Sequence, residues 1–458
     1  MSNFLSNLFK GRRAADIDSP SRPNGGLEVL FYNYTDNANP YGESTDVSLI
    51  PIGRGGDKYV AWGHDDQLPY HVMRLIAEDE VMSGNKLFNV LTCYGSGVRW
   101  ADRGTGLQTE APEPRAFFER NALRKFALEQ ITDMKFFYMS VAVIYLNRAG
   151  DKVVRLRHKE ACYTRFAQAG IDGRVPAVFF ADFEHRTASP DDVERVTLLD
   201  ETDPLGHLLV LMGREAGPDG KRRVRTSERK FAIVCKFPTV GNRYYPIPYY
   251  SSLFRGNWYE IKRLIGIGKR IKLRNHCGLR YLVEINDEYW KRLYAQERIV
   301  DEVAKARRQR EAKEEITRFL SGIENSGKAL YSGFYKNPAG EEVSMIKITP
   351  LDTRAEGGDW ASDLEEASNV LCFADNVHPN LVGATPGKGG QNNSGSDKRE
   401  LFTLKQSLET AFHDILEQPH RVVIGFNNWD TMVKVETPLI TLTTLDKHKD
   451  AQESVINN

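Results

Sequence analysis

The sequence predicts an α+β chain built from several domains, and three observations carry that expectation. At ~150 residues per domain, 458 residues correspond to about three domains. The residues AVILMFWYC make up 41% of the chain, enough for sizeable cores. Short alternating segments and longer segments of helical period both occur, with a proline-dense stretch, Tyr244-Tyr245-Pro246-Ile247-Pro248, between two differently patterned halves.

The start, MSNFLSNLFKGRR, puts Phe4, Leu5, Leu8 and Phe9 at helical spacing. It reads as an arm that docks on its own chain or a neighbour, with a membrane-surface helix as the alternative. It has no long apolar centre and its basic residues follow the apolar ones, unlike a signal peptide. Residues 11–28 are a polar lead-in, 27–34 alternate, and 35–69 are loops containing Gly53, Gly55 and Gly56. A long helix is expected from Leu68-Pro69, where a first-turn proline costs no hydrogen bond. It carries Val72, Leu75, Ile76, Met82, Leu87, Val90 and Leu91 and stops near Gly95 and Gly97. A second helix is expected over 113–138. Residues 139–148 and 152–157 predict a hairpin closed by Ala149-Gly150-Asp151, with further strands near 176–182, 206–212 and 229–238.

Beyond the prolines, 251–275 predicts one helix with Ile261, Leu264, Ile265 and Ile271 on a face. Gly266 and Gly268 inside it cost ~1 kcal/mol each against alanine, so a close helix neighbour or a kink is expected there. A small β-α-β-β unit follows: a strand at 279–285, a charged helical run over 287–324, and strands at 328–335 and 343–349 around a turn at 336–340. Residues 359–373 predict a helix with Leu364, Ala367, Val370, Leu371 and Ala374 on one side, begun by a Ser362/Glu365 capping box. Residues 376–396 form a Gly/Asn/Pro-rich loop. A helix over 397–417 with the stripe Leu401, Leu404, Leu408, Phe412, Ile415 and Leu416 comes next, then strands at 420–426 and 431–442.

The 62 basic and 62 acidic residues cancel, which excludes a tight static DNA binder. No window approaches the ~18 apolar residues that span a bilayer, so no membrane is expected. Five cysteines, Cys93, Cys162, Cys235, Cys277 and Cys372, lie outside ligand spacing and read as reduced, mostly buried thiols. GATPGKGG at 383–390 departs from a phosphate loop in spacing and lacks the Ser or Thr after the lysine, so it reads as a Gly-rich loop. His64-Asp65-Asp66 reads as a polar turn rather than a cation site. No catalytic set, metal site or cofactor is expected. Neutrality nevertheless hides a pattern. Residues 251–280 hold Arg255, Lys262, Arg263, Lys269, Arg270, Lys272, Arg274 and Arg280 against Glu260, a net of +7. Residues 355–387 hold Glu356, Asp359, Asp363, Glu365, Glu366 and Asp375 with no lysine or arginine, a net of −6.

This order of elements resembles the portal proteins of tailed bacteriophages. The stretch Tyr245-Pro246-Ile247-Pro248-Tyr249-Tyr250-Ser251-Ser252-Leu253 is similar to the turn into a portal's first stem helix. Ala374-Asp375-Asn376-Val377-His378-Pro379-Asn380-Leu381-Val382-Gly383, with Ser394-Gly395-Ser396, is similar to the passage from second stem helix to tunnel loop. The opening FLSNLFKGRR is similar to the apolar-then-basic starts of many portals. The resemblance implies a flexible arm (1–28), an α/β wing (29–250), a first stem helix (251–277), a clip (278–350), a second stem helix (351–375), a tunnel loop (376–396), a spine helix (397–418) and a short C-terminal β segment (419–458).

It further implies a non-enzymatic virion protein, assembled in the host cytoplasm into a homo-oligomeric ring of usually twelve subunits at the capsid vertex. Double-stranded DNA passes through such a ring without sequence-specific contacts during packaging and ejection. Its partners are the large terminase, the major capsid protein and a head–tail adaptor. Asp359, Asp363, Glu366, Lys388, Asn392 and Asn393 are the expected tunnel-lining residues, and Gly266, Gly268, Ile261 and Leu264 the expected stem-packing residues between subunits. A monomeric virion structural or adaptor protein and a metal-dependent nucleic-acid enzyme are the alternatives.

Overall fold

The computed structural model describes residues 48–52, 57–184, 192–217, 220–241, 244–275, 281–321, 333–336, 340–350, 360–382, 395–442 and 454–455. The arm, the 27–34 segment, the 383–390 Gly-rich run, Cys277, Asp359, Lys388, Asn392 and Asn393 lie outside them.

In chain order the elements begin β1 (Leu49–Ile52), β2 (Asp57–Val60), α1 (Leu68–Ala77), α2 (Glu80–Tyr94), β3 (Arg99–Asp102), α3 (Pro112–Arg120) and α4 (Leu123–Phe137). Then come β4 (Met139–Leu146), β5 (Val153–Lys159), β6 (Thr164–Ala167), β7 (Ala177–Phe180), β8 (Glu194–Leu198), α5 (Pro204–Leu211) and β9 (Lys230–Lys236). Helices α6 (Ser252–Arg255) and α7 (Trp258–Asn275) lead to β10 (Tyr281–Ile285), α8 (Asp287–Glu297), α9 (Glu302–Ser321), β11 (Phe334–Lys336), β12 (Glu342–Ser344) and β13 (Ile346–Pro350). The chain continues through α10 (Trp360–Ala374), α11 (Pro379–Val382), α12 (Gly395–Leu408), α13 (Thr410–Leu416), α14 (Gln418–Phe426), β14 (Val433–Glu436), β15 (Ile440–Thr441) and β16 (Ser454–Val455). It divides into two compact units, 1–259 with 368–385 and 389–458, and 260–367 with 386–388, so that α7 and α10 each run from one into the other.

The larger unit is organised by an eight-stranded sheet ordered β1-β2-β6-β7-β8-β9-β4-β5, antiparallel except for the parallel pair β8–β9. Strand β4 is buried on both faces because both sets of alternating side chains are apolar. Val141 and Val143 join one core with Val72, Ile76 and Met82, while Ala142 and Ile144 join another with Phe126, Val422 and Phe426. Part of the outer side of β5 is closed by side-chain amides. Asn427 accepts the Val153 N–H at 2.8 Å and donates to its carbonyl at 3.0 Å, and Asn121 accepts the Leu156 N–H at 3.1 Å. Asp66, in a left-handed turn (φ 62°), pairs with the fully buried Arg165, so the His64-Asp65-Asp66 turn serves a structural ion pair.

Several sequence expectations are corrected. The long first helix is two, α1 and α2, because the Asp79 carboxylate accepts the Val81 and Met82 N–H groups and starts a new helix. The face α2 buries is Met82, Lys86, Asn89, Val90 and Cys93, leaving Leu87 and Leu91 exposed. The helix at 113–138 is likewise two, separated by Ala122 in the left-handed conformation (φ 49°). The strand expected at 206–212 is helix α5: Asp203 accepts the Gly206 N–H and Pro204 opens the first turn. Periodicity cannot separate a short apolar strand from a buried helix there. The strand expected at 420–426 is helix α14, with Pro419 in its first turn. Helix 397–417 is α12 and α13 joined at Glu409, and Ser362 falls inside α10 rather than before it.

In the smaller unit β10 pairs antiparallel with β13, and β11 with β12. The charged run at 287–324 is α8 and α9, parted at Arg298 (φ 55°), with Arg308 on α9 held 2.9 Å from Glu297 and 3.5 Å from Glu315. The expected helix at 251–275 is interrupted at Asn257 (φ 64°), which separates α6 from α7. Within this unit Gly268 admits the Trp360 ring of α10: a β-carbon at 268 would lie 3.3 Å from it. Among the described residues, nothing lies within 4 Å of such an atom at Gly266.

Candidate functional site

The residues singled out for function fall on α7, α10 and the segments flanking 383–394. On α10, Ala367, Ser368, Leu371 and Cys372 are buried while Asp363 and Glu366, one turn apart, are exposed. The helix thus separates an apolar side from an acidic one, as its residue spacing dictates. On α7, Ile261, Leu264 and Ile271 follow one side with exposures of 38%, 45% and 46%. Lys262 is buried, so it is not part of an exposed basic face, whereas Arg263 and Arg270 are exposed.

The segments on either side of 383–394 are tied to the core of the larger unit by a buried ion network that charge patterning did not reveal. Lys86 on α2 reaches Asp375, just beyond α10, at 2.6 Å; the two side chains are 3% and 4% exposed. The Lys86 ammonium also donates to the Lys135 carbonyl at 3.1 Å and lies 3.2 Å from the centre of the Tyr250 ring. Asn89 donates to the Asp375 carbonyl at 3.0 Å. On the other side of 383–394, Glu409 accepts from Lys135 of α4 and from Lys405 of α12, the latter at 3.1 Å. Lys405 donates in turn to the Asn376 carbonyl at 3.2 Å, which links the two flanks directly. Gln406 donates to the Thr92 carbonyl, and His413 Nε2 sits 2.7 Å from the Cys93 carbonyl.

Three ammoniums and two carboxylates share this site. Burial pushes the Lys86 ammonium down to about 8, against the opposing pull of Asp375. Burial pushes the Glu409 carboxyl up, but Lys135 and Lys405 outweigh it and hold it below its ordinary value. Because α12 turns Lys405 and Gln406 inward, Leu404 and Leu408 of the expected apolar stripe are 59% and 51% exposed, while Leu416 on α13 is buried. The signal that could have found the network is a lysine inside an apolar helical stripe: Met82, Lys86, Val90 and Cys93 recur every three or four residues. What the arrangement does chemically is tie the end of α10 and the side chains of α12 to the core of the larger unit, through buried ion pairs and backbone carbonyls. Among the described residues no group of three or more His, Cys, Asp or Glu side chains is placed to hold a metal, and no helix is long and apolar enough to cross a membrane.

No protein-family model and no curated protein matches this sequence. Solved structures do. A chain from the neck of an empty gene transfer agent (GTA) particle, computed with C6 symmetry, matches with a TM-score of 0.50 and 13% identity over 87% of this chain and 88% of that one. A chain from the virion of a native GTA particle gives 0.49 and 12% over 87% and 88%, and one from a native GTA neck computed with C12 symmetry gives 0.49 and 12% over 80% and 83%. The chain therefore shares its fold, over most of its length, with a neck chain of a gene transfer agent particle.

Proposed function

We propose that this chain is the portal subunit of a tailed phage-like particle, forming a cyclic ring at the capsid vertex through which double-stranded DNA is packaged and ejected. The fold shared with a particle neck chain over 87% of this chain is the observation that carries the reading. Its role is structural rather than enzymatic, with terminase, capsid protein and head–tail adaptor as successive partners. A head-to-tail interface closes the ring. The exposed Ile261 and Leu264, with the open space at Gly266, are the stem surface offered to the next subunit.

Asp363 and Glu366, exposed on α10, line the tunnel together with Asp359, and Lys388, Asn392 and Asn393 make transient backbone contacts. Carboxylates repel phosphates, so DNA slides without sticking. Negative-stain microscopy of the purified chain tests the reading: rings with a central channel are expected, and a uniform monomer would overturn it. Replacing Asp359, Asp363 and Glu366 with lysine is expected to leave rings intact and impair packaging. Undiminished packaging would remove the lining role alone.

A further inference from the structure

We propose that the outward face of α12 is the seat of the chain's own N-terminal arm, residues 1–13, a contact within one chain and independent of the ring reading. The arm lies outside the described residues, so its sequence and the geometry of α12 carry the argument.

Helix α12 meets the core of the larger unit through Lys405 and Gln406, which are 8% and 2% exposed. At about 100° per residue, Glu400, Leu404 and Leu408 fall on the opposite side, within a quarter turn of one another. Leu404 and Leu408 are exposed, and Leu401 beside them is half-buried. The separations between 401, 404 and 408, three and then four, are those by which one helix seats its side chains on another. The core of the larger unit does not use that seat. Toward the start of α12 the same face turns acidic. Asp397 and Glu400 are both exposed, and Glu400 has no basic partner among the described residues.

The arm carries the complement. Phe4, Leu5, Leu8 and Phe9 at helical spacing are followed by Lys10, Arg12 and Arg13. Laid antiparallel with Leu8 against Leu404, it sets Phe4 against Leu408 and Arg12 against Glu400, because each step is four residues, about 6 Å, on both partners. Laid parallel through the same pair, Phe4 would meet Glu400 and Arg12 would meet Leu408, so the charges choose the direction. The described chain begins at residue 48, in the same compact unit as α12. Residues 14–47 can span on the order of 100 Å when extended, so the arm can reach this face. A tether also raises its local concentration to the order of a millimolar, which favours the arm of the same chain over that of a free copy.

Photocrosslinking in the full chain tests this, with Phe4 or Phe9 replaced in turn by p-benzoylphenylalanine in a mixture of unlabelled and heavy-isotope-labelled protein. Adducts within one chain are expected, from position 4 around Leu408 and from position 9 around Leu404. Leu404→Lys with Leu408→Lys is expected to lower the yield at least about tenfold. Glu400→Lys is expected to lower it about threefold at low salt, a difference that vanishes near 1 M salt. All three side chains are exposed, so these variants keep the fold, which circular dichroism checks. Adducts elsewhere than α12, adducts that join two copies, the reverse order along α12, no adduct at all, or an undiminished yield in the double-lysine variant would overturn the proposal.

Discussion

Truncating Glu409 to alanine is the most demanding test of the buried network. Glu409 is 1% exposed and is the shared carboxylate of Lys135 and Lys405, which are 6% and 9% exposed. Its removal leaves two ammoniums in the interior without the carboxylate they share. Breaking a buried pair from one side costs ~3–5 kcal/mol. Lys135 keeps the Phe412 ring 3.4 Å away and Lys405 keeps the Asn376 carbonyl, which favours the lower end of that range. With an unfolding entropy of ~2.1 cal/mol/K per residue over roughly 350 residues of the larger unit, a 3 kcal/mol loss corresponds to a drop in Tm of about 4 °C. Scanning calorimetry of wild type and variant at pH 7 reads it directly, and Glu113→Ala, which breaks an exposed pair with Lys152, should leave the transition in place. The folded-state carboxyl of Glu409 lies below its ordinary value of 4.5, so its contribution is complete above that pH and fades as pH falls through the lower folded value. The gap between wild type and variant should therefore narrow in acid. A variant as stable as wild type at pH 7 would refute the assignment of this carboxylate as the charge that holds the network.

Three further outcomes follow from the geometry. Burial pushes His420 down to about 3 from 6.5, and its Nδ1 accepts the Trp100 indole N–H at 3.2 Å. The unfolded chain thus binds a proton that the folded chain refuses, and stability is complete above pH 6.5 and falls between 6.5 and about 3. Urea unfolding should show a loss of about 2 kcal/mol from this group between pH 7 and pH 5, absent in His420→Gln. Gly268→Val should overpack against Trp360 and destabilise the smaller unit by ~1–3 kcal/mol, whereas Gly266→Ala should stabilise α7 by up to ~1 kcal/mol; denaturant midpoints separate the two. Ile261→Lys with Leu264→Lys should leave the chain folded by circular dichroism and abolish rings by negative-stain microscopy, and intact rings would remove α7 from the subunit interface.

How much could be read in advance depended on whether local chemistry agreed with tertiary context. The hairpin at β4–β5 and strand β9 were legible because alternation and a Gly turn point the same way. The buried side of α10 was legible from Ala367 and Leu371. Helix breaks were not, since Asp79, Ala122, Asn257 and Arg298 look like ordinary helix-compatible or surface residues until their backbone turns. The apolar stripe of α12 misled for a physical reason: two helix faces competed for the core, and the one carrying Lys405, Gln406 and Glu409 won because it completed a buried charge set. Charged residues are expected at the surface, so neither Lys86 nor Lys135 announced itself. The opposed charges of the segments that hold α7 and α10 were visible as blocks, but the burial of Lys262 was not.

The amides that close part of the outer side of β5 have a consequence for the proposed ring. A bare strand edge is a template on which any other strand can grow, and it gives an assembly no fixed number of members. With Asn427 and Asn121 occupying the Val153 and Leu156 backbone groups, that route to indefinite polymer is blocked along part of β5. In the proposed ring, neighbouring copies then meet through side-chain surfaces, whose shape can fix an angle between subunits and so allow the ring to close on itself.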